Sequence, residues 1–308
     1  MDIALTGSSG FIGGHLKKLI EGLGHNVICI ARANTEKLNT NKYTYEDLFL
    51  GKVKSQFDCM IHLASPNYDY AKDDSLNTGI VELTREIITS LPFYSCKKFI
   101  FFSTAKVYGE PSLHADIFSE NSKLNPISDY ARAKVIAEEV TRKMSAELGF
   151  QYLIYRMPLV YGSNMKSNIG KLFNIINSGY PFISFGKSRS LKKSFLCIEN
   201  IKTIIKYNLK NTDSINNRVL NIADKNSFAL DEVIARYKAI TKSKSIIISV
   251  PNIIFQILIK MPVIKNILMK LYGNFVIDTK CINEISEINI LDTFEGLSYL
   301  NGGVEKNE

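Results

Sequence analysis

The sequence predicts an α/β protein: a doubly wound parallel sheet with a smaller, mainly helical lobe in the C-terminal half. In the first half, short and almost continuously apolar runs alternate with segments of helical periodicity, which is typical of a parallel sheet covered on both faces. Between residues 163 and 193 and beyond 226 this alternation stops. The length of 308 residues suits one such domain plus a lobe.

The predicted elements follow one another in a regular order. Apolar runs predict strands at residues 3–6, 26–31, 58–64, 97–104 and 152–157, and a late strand at 218–223. Amphipathic periodicity predicts helices at 11–24, 76–91 and 129–148. The apolar stretch 246–272 is interrupted by Pro251 and Pro262 and is interpreted as packed helices of the lobe.

The first strand leads directly into a glycine-rich turn that opens the first helix. Gly7 permits a sharp turn, Gly10 allows a pyrophosphate to approach the backbone, and Gly13 lets helix and strand pack closely. Between an N-terminal strand and a helix, this pattern indicates a Rossmann-type dinucleotide site. The residues expected to line it are Gly7, Ser9, Gly10, Phe11, Ile12 and Gly13.

This site gives the lobe a function, because ligands of open α/β sheets bind at the carboxyl edge of the strands. The predicted dinucleotide-binding domain comprises residues 1–162 plus about 194–225. The predicted substrate-binding lobe comprises about 163–193 plus 226–308.

The end of the second strand bears on which dinucleotide is bound. An NAD site usually has an acidic residue there, which binds the ribose 2′-hydroxyl. This chain has Ala31 and Arg32 instead, and a guanidinium pairs well with a 2′-phosphate. NADP(H) is therefore favoured and NAD(H) is the alternative. Arg32 could also be a solvated surface residue without a role in cofactor binding.

Tyr130 and Lys134 form the candidate catalytic pair. Their i,i+4 spacing in a helical segment places both side chains on one face. A nearby ammonium lowers the pKa of a tyrosine and makes it a usable proton donor or acceptor near neutrality. Tyr68 and Lys72 have the same spacing, but they lie in a polar stretch after an earlier strand.

The chain resembles the extended short-chain dehydrogenase/reductase family, in the branch that acts on nucleotide-activated sugars. The segments that carry the resemblance are TGSSGFIG (6–13), DCMIHLAS (58–65), FIFFSTAKVYG (99–109), YARAK (130–134), RMPLVYG (156–162), RSLKKSFLCIENI (189–201) and LYGNFVIDTK (271–280). They occur in the family's order and cover nearly the whole chain. This branch is the NAD-dependent epimerase/dehydratase-like one.

The resemblance implies a catalytic triad. Thr104 would supply its hydroxyl, with the neighbouring Ser103 ranked second. Tyr130 would be the acid/base, and Lys134 would hold the nicotinamide ribose and lower the pKa of Tyr130.

The same resemblance adds three cofactor contacts. Ala64 and Ser65 would pass beneath the cofactor, and Pro158 would lie near the nicotinamide. Relatives commonly dimerise through two helices from each subunit, which implies a homodimer.

The net charge of +8 is confined to residues 161–210, which hold nine basic residues and one acidic residue. In relatives this region covers the sugar nucleotide, so Asn168, Arg189, Lys192 and Lys193 are the candidate substrate ligands, the basic ones for the diphosphate. A merely solvated basic surface is the alternative. No nucleic-acid-binding motif accompanies the charge, so nucleic acid is not an expected partner.

The favoured function is NADPH-dependent reduction of the 4-keto group of a dTDP- or UDP-linked 4-keto-6-deoxyhexose, for surface polysaccharide such as O-antigen or capsule. The first alternative is a 4-epimerase of a UDP-hexose or UDP-N-acetylhexosamine that retains NAD. NADPH, which cells keep reduced, suits net reduction. A third interpretation is a cofactor-binding regulatory protein that has lost catalysis.

The remaining features concern location. Five scattered cysteines without a CxxC pair predict neither disulfides nor a metal site and favour a reducing cytoplasm. The N-terminus has no basic region like that of a signal peptide. The charge-free run here, from Ser245 to Ile259, spans 15 residues, too few for a transmembrane helix. Its basic amphipathic character also allows a peripheral location at a membrane surface.

Overall fold

The computed structural model describes residues 1–32, 41–65, 75–165, 167–185, 191–212 and 215–301, with the backbone alone at 75–78, 168 and 301. Strands are numbered along the chain. The main sheet has seven of them: β1 (Asp2–Thr6), β2 (Asn26–Ala31), β3 (Lys42–Thr44), β4 (Cys59–His62), β5 (Lys98–Thr104), β7 (Gln151–Met157) and β11 (Arg218–Asn221). Their order is β11-β7-β5-β4-β1-β2-β3.

Parallel pairing brings the carboxyl ends of the central strands to one edge of the sheet. Thr6 of β1 lies opposite His62 of β4, and Thr104 of β5 lies opposite Met157 of β7. The strands are buried on both faces, as the consecutive and fully buried residues Ile3–Leu5 show. The predicted doubly wound parallel sheet is confirmed.

Among the helices that lie between strands of this sheet in the chain are α1 (Phe11–Gly22), α2 (Tyr45–Phe49), α3 (Ser75–Ser90) and α4 (Asp129–Leu148). Short 3-10 helices follow α3 and β5, at Leu91–Tyr94 and Ala105–Tyr108. The bounds of α4 agree with the prediction because strong local signals set them. The Ser128 hydroxyl caps its first turn by accepting from Ala131 N, and Gly149 ends the helix at a φ of 77°.

The remaining strands form two-stranded sheets: β6 (Ile117–Phe118) with β13 (Val276–Ile277), β8 (Leu159–Tyr161) with β10 (Phe195–Cys197), and β9 (Phe182–Phe185) with β12 (Ile247–Val250). The remaining helices are α5 (Asn168–Asn177), α6 (Ile198–Lys210), α7 (Leu230–Thr241), α8 (Asn252–Leu258), α9 (Pro262–Tyr272), α10 (Lys280–Asn283) and α11 (Thr293–Ser298), and a 3-10 helix follows at Tyr299–Asn301.

The chain divides into two compact units. The first comprises Met1–Gly109, Lys123–Met157 and Ile204–Leu220. The second comprises Glu110–Ser122, Pro158–Thr203 and Asn221–Glu308. Strand β8 belongs to the second unit because it pairs with β10, whereas the predicted boundary at residue 162 places it in the first. The functional assignment of the two parts stays a prediction.

A buried carboxylate holds the second unit together. Asp224 accepts hydrogen bonds from the backbone N of Cys197, the Asn200 amide, the Tyr161 hydroxyl and the Thr293 hydroxyl, at 2.7–2.9 Å. Burial raises the pKa of Asp224 to about 6, although these four donors oppose the shift. The site is structural, since all four partners hold strands and helices of this unit.

The interpretation of 246–272 as helices throughout is wrong at its beginning. Ile247–Val250 is strand β12, which pairs in parallel with β9. Pro251 follows this strand and precedes α8, and Pro262 begins α9. None of the helices in the described part of the chain has the length and apolarity needed to cross a membrane.

Candidate functional site

The glycine-rich turn between β1 and α1 is closed so tightly that side chains do not fit. Gly7 has a φ of 72°, and a Cβ there would lie 3.0 Å from the backbone N of Ala64. A Cβ on Gly13 would lie 2.1 Å from the Gly7 carbonyl oxygen. Helix α1 therefore packs directly on the turn, as the glycine pattern predicts.

A buried hydrogen-bond chain fastens this turn to the end of β4. The Thr6 hydroxyl accepts from the backbone N of Leu63 and of Ala64, both at 3.1 Å, and lies 2.8 Å from His62 Nδ1. His62 Nε2 lies 3.2 Å from the Thr84 hydroxyl, which donates to the Ile80 carbonyl.

These partners fix the tautomer of His62. The Thr84 hydroxyl donates its hydrogen to the Ile80 carbonyl, so it can only accept from His62. His62 Nε2 therefore donates to Thr84, and Nδ1 accepts from Thr6. Burial, followed by the Lys134 charge, lowers the pKa of His62 to about 3, so the ring is neutral. Sequence reasoning missed His62 and Thr84, although a histidine within an apolar strand is a signal of a buried polar contact.

The features around the turn fit a dinucleotide. The N-cap of α1 is Gly10, which offers no side chain to cap the first-turn N–H groups, and such groups bind phosphate. Ser65, just after β4, has a buried hydroxyl oxygen that makes no hydrogen bond within the described residues. A cofactor beside Gly7 and Ala64 would supply the partner that this oxygen lacks.

The other predicted cofactor residues have the following places. Ser9 is exposed, and Phe11 and Ile12 form the half-buried first turn of α1. Arg32 follows β2 and is exposed. Its charge acts on Tyr45 of α2, whose pKa burial raises to about 12 against the opposing effects of Thr6 and Arg32.

The predicted catalytic lysine is buried at the junction of α4 and β5. Lys134 Nζ donates to the Phe102 carbonyl at 3.0 Å, and it lies 4.5 Å from the centre of the Phe101 ring and 5.9 Å from that of Tyr130. Burial lowers the pKa of Lys134 to about 8, and the Glu138 charge opposes that shift. Tyr130 and Lys134 thus lie one turn apart on α4, against the carboxyl end of β5.

Thr104 and Ser103 occupy different environments at the end of β5. Thr104 is half-buried, and its hydroxyl accepts from the backbone N of Lys106 at 3.3 Å. Ser103 is buried, and its hydroxyl donates to Glu138 Oε1 at 2.5 Å. Since Ser103 is directed at a buried carboxylate, Thr104 is the better candidate for contact with a substrate.

A buried ion pair that the sequence did not predict lies close to the candidate catalytic pair. Arg156 of β7 donates through Nη2 to Glu138 Oε2 at 2.6 Å and through Nε to both carboxylate oxygens. Its Nη1 donates to the Tyr108 hydroxyl at 2.9 Å. Glu138 stands one helical turn beyond Lys134 on α4. The pair therefore ties β7 to α4 and β5, which carry the candidate catalytic residues, and to the 3-10 helix after β5.

The candidate substrate residues of the second unit differ in accessibility. Lys192 is exposed. Lys193 Nζ donates to the carbonyl of Lys270 in the last turn of α9 at 2.7 Å, so part of its role is structural. Asn168 begins α5, and its side chain lies outside the described atoms.

Two other candidates complete the comparison with the sequence. Arg189 lies outside the described residues, and Pro158 directly follows β7 in a half-buried position. Within the described part of the chain, no group of three or more His, Cys, Asp or Glu side chains could hold a metal ion.

The family model described as NAD dependent epimerase/dehydratase family matches residues 3–223, from β1 to just beyond β11. The chain belongs to this family. The predicted resemblance to this branch of the extended short-chain dehydrogenases/reductases is confirmed.

The relatives include sugar-nucleotide 4-epimerases. The UDP-glucose 4-epimerase of Vibrio cholerae is 27% identical over 223 residues, which span 66% of this chain and 65% of that enzyme. A crystal structure of the UDP-glucose 4-epimerase of Thermotoga maritima with UDP-glucose has a TM-score of 0.76 at 20% identity and covers 97% of each chain. The UDP-glucuronic acid 4-epimerase of Bacillus cereus in complex with NAD has a TM-score of 0.75 at 20% identity, covering 97% of this chain and 96% of that one.

The structural similarity extends over nearly the whole chain and supports the Rossmann-type fold of the seven-stranded sheet. The names of these relatives agree with the 4-epimerase, which is the alternative interpretation of the sequence, and not with the favoured 4-ketoreductase. The NAD in the Bacillus cereus structure likewise gives no support to the preference for NADP(H).

Proposed function

We propose that the protein is a nucleotide-sugar 4-epimerase that acts on a UDP-hexose or UDP-N-acetylhexosamine and retains NAD. The bond from Lys134 Nζ to the Phe102 carbonyl supports redox chemistry at Tyr130, and the choice of epimerisation rests on the relatives. This bond fastens the helix that bears Tyr130 and Lys134 to the strand that ends in Thr104. The 4-epimerases among the relatives support the same reaction.

The cofactor would be held by the first unit. Gly7, Gly10 and the first turn of α1 would receive the pyrophosphate, and Ser65 would donate its unused hydrogen bond. Lys134 would hold the nicotinamide ribose. When bound, the nicotinamide supplies a hydride acceptor and donor for the sugar C4.

Tyr130 would handle the proton of the 4-hydroxyl. Its phenolate oxygen takes the proton while the carbonyl at C4 forms, and it returns the proton after the sugar has presented its other face. Thr104 would hydrogen-bond the same oxygen. The ammonium of Lys134, 5.9 Å from the Tyr130 ring centre, favours the phenolate electrostatically.

Net reduction of a 4-keto-6-deoxyhexose with NADPH is the second candidate. It is favoured by Ala31 and Arg32, which follow one another where an NAD site usually has an acidic residue. In that reaction Tyr130 would protonate the alkoxide formed at C4. A non-catalytic cofactor-binding role is the third candidate, and the Thr104, Tyr130 and Lys134 set speaks against it.

The test uses the purified full-length chain without added cofactor. UDP-glucose and UDP-N-acetylglucosamine are incubated separately, and the 4-epimers are quantified by chromatography. The protein is also denatured to identify any released nicotinamide. We expect epimer formation and bound NAD, with loss of turnover in Tyr130→Phe but retained NAD.

A different outcome selects another candidate. Stoichiometric NADPH oxidation by dTDP- or UDP-4-keto-6-deoxyhexoses, without epimer formation, would replace the epimerase with the reductase. Equal activity of Tyr130→Phe and wild type would exclude both enzyme mechanisms proposed for this residue.

We further propose a cytoplasmic homodimer, with a product that feeds surface polysaccharide synthesis. None of the five cysteines forms a disulfide, which suits a reducing compartment. The dimer rests on the resemblance to the family, and sedimentation velocity measures it directly.

In the proposed epimerase reaction the exposed Lys192 would contact the diphosphate of the substrate.

A further inference from the structure

The segment from residue 233 to 277 has an unusual charge pattern. It contains seven basic residues and no acidic residue. They are Arg236, Lys238, Lys242, Lys244, Lys260, Lys265 and Lys270. The segment lies outside residues 161–210, which hold the net charge of the chain. Acidic residues on either side of the segment balance its charge.

The two helices at the centre of this segment expose apolar side chains on one face each. On α9, Val263, Ile267 and Leu271 recur every fourth residue and form a stripe, with Val263 75% exposed and Ile267 55% exposed. On α8, Ile253 and Ile257 repeat the same spacing, and Ile253 is 64% exposed.

The opposite faces of both helices are already used. Phe255 of α8 and Leu268 and Tyr272 of α9 are buried in the apolar core of the second unit. The exposed stripes are therefore apolar surface that the packing of this unit does not bury. We name the two stripes together, with residues 253, 257, 263, 267 and 271, the α8–α9 face.

Exposed lysines accompany the α8–α9 face. Lys260 lies between the two helices, and Lys270 lies on α9. Position 270 is adjacent to the stripe at 267 and 271 on the helical wheel. Long lysine side chains can keep the ammonium in the headgroup layer while apolar neighbours enter the acyl region.

We propose that the α8–α9 face binds the surface of an anionic phospholipid bilayer. The apolar stripes enter the interface between headgroups and acyl chains, and Lys260 and Lys270 pair with lipid phosphates. No helix crosses the membrane in this arrangement, in keeping with the helix lengths of the described chain.

Charge decides between a bilayer and a second copy of the chain as the occupant. A two-fold dimer through this face would bring the same basic patch of both copies together, and like charges oppose such contact. An anionic bilayer has the complementary charge. Each lysine near its surface strengthens partitioning about fivefold, and each buried methylene about fourfold.

The test is vesicle flotation of the full-length protein. Vesicles of phosphatidylcholine alone are compared with vesicles of equal parts phosphatidylcholine and phosphatidylglycerol, at low and high salt. We expect flotation with the mixed vesicles, weakening as salt screens the lysines. Val263→Ser with Ile267→Ser should abolish it at both salt concentrations.

Matched variants separate the two contributions. Replacing Lys260 and Lys270 by Gln should reduce binding about 25-fold and weaken the salt dependence. Leu50→Ser, which changes an apolar residue that is 57% exposed in the first unit, should leave binding unchanged. Replacement of the exposed Lys52, Lys54 and Lys97 by Gln should do the same.

Three results would overturn the proposal. They are no flotation of the wild type, equal flotation of the Val263/Ile267 variant, and a dimer that this variant converts to monomers in sedimentation velocity. Circular dichroism and thermal unfolding of every variant establish that it is folded. Turnover of UDP-sugars in the absence of vesicles is unchanged in these variants, so a failure here is distinguishable from a failure of the proposed activity.

Discussion

The buried ion pair close to the candidate catalytic residues allows a quantitative prediction for Glu138→Gln. Glu138 is fully buried, and its two oxygens receive the Ser103 hydroxyl and three contacts from the Arg156 guanidinium. The amide keeps the shape but leaves the Arg156 charge buried without a counter-charge. Breaking a buried pair in this way costs about 3–5 kcal/mol.

The assay is thermal and urea unfolding followed by circular dichroism. A cost of about 3–5 kcal/mol corresponds to a fall in Tm of about 6–20 °C for a unit of 150–250 residues. Glu139→Gln is the matched control, because it makes the same chemical change at the next, exposed position of α4. We expect less than about 0.5 kcal/mol from it.

A double-mutant cycle tests whether the pair itself is responsible. Replacing Glu138 by Leu and Arg156 by Met together should be much less harmful than the sum of the two single changes, because neither charge is then left unpaired. The reasoning is refuted if Glu138→Gln is as stable as Glu139→Gln, or if the double variant is as unstable as the sum.

The same variant has an expected effect on the pH profile. The pKa of Lys134 is about 8 in the folded protein, and turnover that depends on its charge falls as pH rises through that value. Because Glu138 raises this pKa, Glu138→Gln moves the alkaline limb of kcat to lower pH. Unfolding does not mimic this limb, since between about pH 8 and 10.5 the unfolded state binds more protons and stability from Lys134 rises with pH.

Three further predictions concern the turn and the basic residues. Gly13→Ala places a Cβ 2.1 Å from a backbone oxygen and should abolish tight NAD binding in a fluorescence titration, whereas retained affinity contradicts the proposed packing. Thr6→Val leaves two backbone N–H groups and His62 Nδ1 without their buried partner. It should cost about 1–3 kcal/mol for each unsatisfied group in urea unfolding. Lys192→Gln should raise the KM for the UDP-sugar up to about fivefold at unchanged Tm. Lys193→Gln should instead lower Tm through the lost helix contact, and the reverse pattern would contradict this division of roles.

Local patterns were sufficient for much of the first unit. The helix at 129–148 could be predicted because Ser128 and Gly149 mark its ends and its apolar periodicity is continuous. The glycine turn could be predicted because its backbone conformation excludes other residues. Strand β12 could not, since its pairing partner β9 lies more than 60 residues earlier in the chain and its own apolar run is equally compatible with a helix.

The site was predictable only where one local segment carries it. Tyr130 and Lys134 share a helix face, so their spacing is informative. Glu138 and Arg156 meet through the packing of α4 against β7, which no local pattern specifies. The reaction was harder to predict from the sequence than the site. Arg32 favoured reduction with NADPH, whereas the relatives are named 4-epimerases.

The neutral histidine beneath the glycine turn has a consequence for acid tolerance. His62 takes up a proton in the folded protein only near pH 3, whereas an unfolded histidine does so near 6.5. Between these two pH values the unfolded state binds one more proton than the folded state. Through this histidine alone, acidification therefore lowers the free energy of unfolding by about 1.4 kcal/mol for each pH unit below 6.5. His62, which supports the glycine turn, thus stays uncharged throughout the physiological pH range. Acid acts on it by favouring the unfolded chain and not by changing the folded structure.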